Sequence, residues 1–286
     1  MPPQIKHKEI VTLGLIKTAI RRANGAALPP TEEIERFGAQ GEEQICKLLF
    51  DGFDCVIRNA VVPYKDMFLE KDFAVLYKNR LVVLEVKNWK GEIGCEGDKF
   101  YQNKDNGVRK SLKSPVGTTN QFIKSLKKFY EIDKGVYGAV VFVEPDCKLS
   151  LPREMDGIAL LRPKELVSYI KGCARTEEAA TEVIDPDRIL RCTRLYSEDE
   201  EFCKGVLADT YLHLYTADGT EVRVDTTQLR YLTVQKQALR LQDKIYLTYV
   251  NGASDVFYNR DAELTLGTLD GSYRRFALHK VRHVVF

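Results

Sequence analysis

The chain has 286 residues, 44% of them hydrophobic and 29% charged, with a net charge of +2. This is the profile of a soluble globular protein with a real core, long enough for one large domain or two smaller ones. It excludes attraction to nucleic acid through bulk charge alone, and no apolar run reaches the roughly 18 residues of a membrane-spanning helix.

The first residues, Met1-Pro2-Pro3-Gln4-Ile5-Lys6, lack the apolar stretch of a signal peptide. Residues 5–24 mix apolar and basic side chains and read as a helix, stopped by Asn24-Gly25 and followed by a Leu28-Pro29-Pro30 linker. A second helix is predicted over about 32–50, with Gly41, Ile45, Leu48 and Leu49 on one face. Phe53 to Val62 reads as a strand, and Asp72–Leu76 with Leu81–Val86 as a hairpin around Tyr77-Lys78-Asn79-Arg80. Ile93–Cys95 and Phe100–Gln102 form a smaller hairpin, and a helix follows from Gln121 to Tyr130. Val136–Val143 is a continuous apolar run, as in a strand buried on both faces. Gly157–Leu161 is a short strand, and Pro163 opens a helix. From Arg175 to Glu201 the chain is polar and acid-rich and reads as a linker. Beyond it, short alternating segments are divided by Asp218-Gly219, Asn251-Gly252 and Asp270-Gly271, three hairpin signals. No internal repeat is read.

Seven cysteines (Cys46, Cys55, Cys95, Cys147, Cys173, Cys192 and Cys203) form no CxxC pair. They are expected to be reduced thiols in a cytoplasmic protein, without a disulfide or zinc framework. His279 and His283 lie four apart near the C-terminus but no Cys or acid cluster accompanies them. Neither a Ser/His/Asp arrangement nor a P-loop is present.

The chemistry concentrates on the 72–87 hairpin. A turn at Lys78-Asn79 places Asp72 opposite Glu85; a turn at Asn79-Arg80 places it opposite Lys87. Under either register, alternation puts Asp72, Glu85 and Lys87 on one face. Opposed carboxylates repel, and a hard cation such as Mg²⁺ between them removes the penalty. Such an ion activates water and stabilises charge on a phosphodiester oxygen, while Lys87 orients the water or holds a phosphate. The plain alternative is an ion pair of Lys87 with Asp72 or Glu85.

Asp72, then Glu85-Val86-Lys87-Asn88-Trp89-Lys90-Gly91, with Gly38-Ala39-Gln40-Gly41-Glu42 upstream, resembles the nuclease-related domain (NERD) family of the PD-(D/E)XK nuclease superfamily, over roughly residues 36–150. The resemblance implies an α/β restriction-endonuclease-like core, a mixed sheet flanked by helices, and Mg²⁺- or Mn²⁺-dependent hydrolysis of DNA. It implies that Asp72 and Glu85 hold the metal with the main-chain carbonyl of Val86, that Lys87 is the catalytic lysine, and that Glu42 is the acid of the first helix. Glu42 leans toward the apolar face through Ile45 and Leu49, whereas Glu43 sits over Lys47. One motif departs from the family: an ungapped alignment puts Thr118 where a helix-borne Gln is usual, and Gln121 lies one turn further on.

Residues 99–130 carry eight basic side chains against one acid, Asp105. Lys104, Arg109, Lys110 and Lys113, together with Gln121, are the candidate nucleic-acid contacts, the alternative being a solvated face. Trp89 packs over the hairpin or stacks on a base. The expected organisation is an N-terminal helical extension (1–30), a NERD-like nuclease domain (31–175), an acidic linker (176–208) and an all-β accessory module (209–286). The expected function is an Mg²⁺-dependent deoxyribonuclease whose β module positions substrate or binds a protein partner. The alternative is a nucleic-acid-binding or regulatory module, with little or no cleavage, acting through its C-terminal part.

Overall fold

The computed structural model describes residues 30–286 except 66, 104–106, 177–178, 187–188, 198–201, 209–210, 237–242, 250–252, 260–261 and 268–271. The helix expected over 5–24, the 1–30 extension up to Pro29, Lys104, and the Asn251-Gly252 and Asp270-Gly271 turns lie outside the described residues.

Helix α1 spans Pro30–Gly52. It buries Ile45, Cys46 and Leu49 and ends against Phe53. Gly41 is where it comes closest to the sheet: a Cβ there would lie 2.7 Å from Val143 Cγ2 and 3.1 Å from Asn88 Cβ. Strands β1 (Val56–Tyr64), β2 (Met67–Tyr77) and β3 (Arg80–Lys87) follow as an antiparallel meander. Lys78 and Asn79 both adopt left-handed φ, 49° and 57°, as a two-residue turn matched to strand twist requires. Tyr77 faces Arg80 and Phe73 faces Leu84, so the register is that of the Lys78-Asn79 turn.

Strand β4 (Glu92–Glu96) and β5 (Lys99–Asn103) form the second hairpin. A strand not read from the sequence, β6 (Arg109–Leu112), joins β5, and β8 (Lys148–Ser150) pairs parallel with β4. Helix α2 begins at Pro115, not Gln121, and runs to Phe129. Ser114 caps it by accepting the Gly117 N–H at 3.1 Å, and Pro115 supplies a φ suited to the first turn. Strand β7 (Val136–Phe142) lies between β3 and β10 (Ile158–Leu161), parallel to both, with β9 (Glu154–Met155) at the edge. Helix α3 spans Pro163–Cys173.

The six-stranded sheet runs β1-β2-β3-β7-β10-β9. One face packs Phe73, Val75, Val82 and Leu84 under Ile45 and Leu49 of α1 and Leu166 and Ile170 of α3. The other packs Ala74, Leu81 and Val83 under Phe122 and Leu126 of α2. Each such leucine or phenylalanine contributes roughly 1.5–3 kcal/mol on burial, so the middle strands are rigid supports for groups at their ends.

The stretch expected to be an acidic linker is structured over much of its length. Ala180, Ile184 and Ile189 are buried against the α2 side of the sheet, and β11 (Cys192–Ser197) and β12 (Phe202–Leu207) fall within 176–208. These two strands open a ten-stranded sheet with β13 (Tyr211–Tyr215), β14 (Glu221–Asp225), β15 (Leu229–Gln235), β16 (Asp243–Tyr249), β17 (Ser254–Asn259), β18 (Glu263–Gly267), β19 (Tyr273–Ala277) and β20 (Val281–Val285). Its order is β14-β13-β17-β16-β15-β20-β11-β12-β18-β19.

That order corrects the reading of no repeat. Strands β11–β15 and β16–β20 follow one another with the same spacing, and a 3-10 turn precedes the last strand of each, Thr226–Gln228 and Leu278–Lys280. Exchanging the two units reverses the sheet order and leaves it unchanged. The units meet at β15 and β20, where Leu232 faces its counterpart Val284. Each unit lends its β13-β14 or β18-β19 hairpin to the other, since β13 pairs with β17 and β18 with β12. Few identities recur between them: core leucines and the Asp-Gly turn (Leu212, Leu214, Asp218-Gly219; Leu264, Leu266, Asp270-Gly271), with Asp209/Asp261, Thr216/Thr268, Arg223/Arg275 and Arg230/Arg282.

The two sheets touch through side chains and backbone. Val61 N–H donates to the Leu190 carbonyl at 2.9 Å, and Asn59 Nδ2 to the Phe286 carbonyl at 3.1 Å. Arg194 pairs with Glu70 and Arg230 with Glu43.

Candidate metal and nucleic-acid site

The acidic hairpin sits where β2 and β3 part. Their pairing ends at Phe73 and Leu84. One residue beyond, the Asp72 carboxylate takes over from the ladder: its Oδ2 accepts the Val86 N–H at 2.6 Å. Burial, with repulsion from Glu85 and Glu42, pushes the Asp72 carboxyl up to about 8 against the opposing pull of Lys87 and the Val86 N–H.

Glu85 is 12% exposed and held by two lysines. Lys87 Nζ pairs with Oε1, and Lys71 Nζ with Oε2 at 2.6 Å. Burial alone would raise the Glu85 carboxyl; Lys87 and Lys71 outweigh it and hold the group below its ordinary value. Lys87, 24% exposed, also lies 5.9 Å from the Trp89 ring. Burial lowers its ammonium, but Glu85 and Asp72 win and raise it. The Lys87–Glu85 ion pair that the sequence offered as the plain alternative is therefore present, within a larger cluster.

Helix α1 delivers Glu42 to this cluster because Gly41 lets the helix approach β3 and β7. Glu42 is half-buried; burial raises its carboxyl, Arg58 and Arg194 oppose, and Asp72 and Lys87 are within electrostatic reach. Glu43 points away, exposed, and pairs with Arg230 of the β module instead of Lys47. Of the two acids, Glu42 is the one whose charge Asp72 feels.

Lys71 was not among the residues singled out. Strict alternation sends it to the face opposite Glu85, but the splaying of β2 beyond Phe73 brings it inward, 4% exposed, where it also donates to Thr118 Oγ1 at 3.1 Å. Only the adjacency of a lysine to Asp72 pointed to it.

A cleft of roughly 350 Å³ opens beside these groups, lined by Glu70, Lys71, Glu85, Lys87, Trp89, Lys113, Thr118 and Gln121 among others. Lys113 and Gln121 thus line the cleft that Glu85 and Lys87 line. Arg109 does not: it pairs with Glu96 and lies 3.6 Å over the Tyr101 ring. Lys110 is exposed on β6, away from the cleft wall. Trp89 tilts against Phe142 at 5.9 Å, closing one end.

The donors fit a hard divalent cation in kind: carboxylate oxygens of Asp72, Glu85 and Glu42 crowd together and repel. In number they fall short as arranged, for no group of three His, Cys, Asp or Glu poised to hold a metal is found among the described residues. Both Glu85 oxygens already face ammonium groups. His279 is exposed, and His283 is stacked on Tyr231 with Nδ1 3.1 Å from Thr233 Oγ1.

The seven cysteines are free thiols, and no helix among the described residues is long and apolar enough to cross a membrane. No curated protein and no solved structure matches the chain. Residues 37–143, from the Gly38–Glu42 turn of α1 through Asp72, Glu85 and Lys87 to the end of β7, match the family model NERD, the nuclease-related domain.

Proposed function

We propose that the protein is a divalent-metal-dependent nuclease acting on DNA, with a restriction-endonuclease-like core over 31–175 and the β module as accessory. The observation that carries this is the electrostatic cluster of Asp72, Glu85, Glu42 and Lys87, of which Glu85 and Lys87 line a cleft shared with Lys113 and Gln121, inside the nuclease-related stretch. Asp72 and Glu85, with the Val86 carbonyl, would hold Mg²⁺ or Mn²⁺, which supplies Lewis-acid stabilisation and an activated water. Lys87 stands at the cleft wall to hold that water or a phosphate oxygen as a point charge. Lys113 and Gln121 hold the backbone along the cleft, with Lys110 and Arg109 as outlying phosphate contacts. Glu42 adds negative charge behind Asp72. The free thiols suit a cytoplasmic setting.

The test is nicking of plasmid, linear and single-stranded DNA in Mg²⁺ or Mn²⁺ by wild type, Glu85→Gln and Lys87→Met. Cleavage by wild type alone supports the site; equal cleavage by all three rejects it.

A second reading is favoured by the divergence of the β repeats. The second unit exposes Tyr273, Arg274, Arg275, Lys280 and Arg282. At the same places the first has Glu221, Val222, Arg223, Gln228 and Arg230, with Asp225 beside them. Arg275 and Arg282 thus recur as Arg223 and Arg230, and what the second unit adds is Arg274 and Lys280 for Val222 and Gln228 and the loss of Glu221. In this reading the module holds nucleic acid, or an acidic protein partner, and cleavage is secondary. Tight metal-independent DNA binding without cleavage would select it.

A further inference from the structure

Glu85 has two cationic partners that differ in character. Lys87 reaches the cleft and is 24% exposed; Lys71 is 4% exposed and is held from both sides. Its Nζ meets Glu85 Oε2 at 2.6 Å and Thr118 Oγ1 at 3.1 Å, and Thr118 in turn donates to the Pro115 carbonyl at 3.1 Å. A lysine whose role is solubility keeps its head in water. Here the head is buried on a carboxylate crowded by other carboxylates, and Thr118 of α2 braces it there.

We propose that Lys71 is an exchangeable counter-ion of Glu85, seated on the oxygen a divalent cation needs, so that cation and ammonium compete and Lys71 sets the threshold for cation binding. The inference rests on the reading of Asp72 and Glu85 as cation ligands. It explains why acids of the right kind gather without forming a ready metal cluster. Lys87 and Lys71 share the carboxylate by taking one oxygen each, and a cation on Oε2 would take the oxygen that Lys71 holds, so Lys71 must leave it as the cation enters. The cleft alongside, which Lys113 also lines, receives the freed side chain. Cation entry thereby adds a third lysine, beside Lys87 and Lys113, to the surface on which phosphate would lie.

The competition is measured on the full chain without DNA, using Mn²⁺ as the probe and electron paramagnetic resonance or calorimetry as the readout. Lys71→Met, which keeps side-chain volume and removes the charge, is expected to bind Mn²⁺ at least about tenfold more tightly than wild type. The same competition is read in unmodified protein, independently of whether the variant folds. Lysine acylation followed by mass spectrometry should find Lys71 protected without metal and labelled in saturating Mn²⁺. If Mn²⁺ binding is lost in Asp72→Asn and Glu85→Gln but unchanged in Lys71→Met, and Lys71 stays protected, the counter-ion role is overturned and the cation site stands. If neither wild type nor Lys71→Met binds Mn²⁺, the cation site itself falls and this inference with it.

Discussion

Glu85→Ala should cost far more stability than a half-exposed acid at a cleft ordinarily does. The substitution removes the acceptor of two ammonium groups. Lys87, at 24% exposure, can turn toward water. Lys71, at 4%, is left with Thr118 Oγ1 and reaches water only by swinging out into the cleft. Removing one partner of a buried pair costs about 3–5 kcal/mol, because the other is left charged in a medium of low dielectric. The neighbouring cleft admits water, so about 2–4 kcal/mol is expected here, a fall in Tm on the order of 5 °C for a chain of this length. Urea unfolding followed by Trp89 fluorescence measures it, since the single tryptophan packs on Phe142 beside the site. Glu85→Gln, which keeps one acceptor oxygen, should lose roughly half as much. The double variant Lys71→Met with Glu85→Leu, which leaves no lone charge behind, should return to within about 1 kcal/mol of wild type. An unchanged midpoint in Glu85→Ala, or a double variant as unstable as the single, would refute the reasoning. The practical consequence is that loss of cleavage in Glu85→Ala is ambiguous, and Glu85→Gln is the sounder probe of chemistry.

Gly41→Ala gains up to about 1 kcal/mol of helix propensity but forces a Cβ to 2.7 Å from Val143 Cγ2, an overpacking cost of about 1–3 kcal/mol. Because Glu42 follows directly, metal binding should weaken more than stability does; a raised Tm with unchanged Mn²⁺ affinity would contradict this. His283 is held down to about 4 by burial and by Arg282, with Tyr196, Tyr231 and Thr233 around it. The unfolded chain therefore takes up the proton first as pH falls, so this stability is complete above about 6.5 and lost down to about 4, up to about 3 kcal/mol in all. Melts of wild type and His283→Gln across that window should converge at low pH, and parallel curves would count against it. Arg275→Glu with Lys280→Glu should weaken binding to labelled DNA and lower its salt slope, whereas Arg223→Glu, at the place in the first repeat that corresponds to Arg275, should do neither; equal effects would dissolve the asymmetry between the repeats.

What the sequence makes legible here is local. The hairpin register follows from Lys78-Asn79 because a polar pair can take two left-handed residues in succession, and that alone brings Asp72 level with Glu85. Strand β7 is legible because burial on both faces demands an unbroken apolar run. The start of α2 is hidden by Gly117, Thr118 and Thr119, poor helix formers whose cost is offset by the Ser114 cap and the burial of Val116 and Thr119. Lys71 is hidden for a deeper reason. Alternation relates Lys71 to Glu85 only while β2 stays paired with β3, and that pairing ends at Phe73, although Lys71 still pairs with Ala60 of β1. The charges around Glu42 are less legible still, since Arg58 comes from β1, Asp72 from β2, Lys87 from β3 and Arg194 from β11. No spacing rule gathers groups so far apart; the register of two sheets does. It follows that the electrostatic balance of this site is a property of the whole chain, and that Arg194→Ala, a change in the β module remote in sequence from every proposed ligand, should remove part of the positive charge opposing Glu42 and alter cation affinity at Asp72 and Glu85.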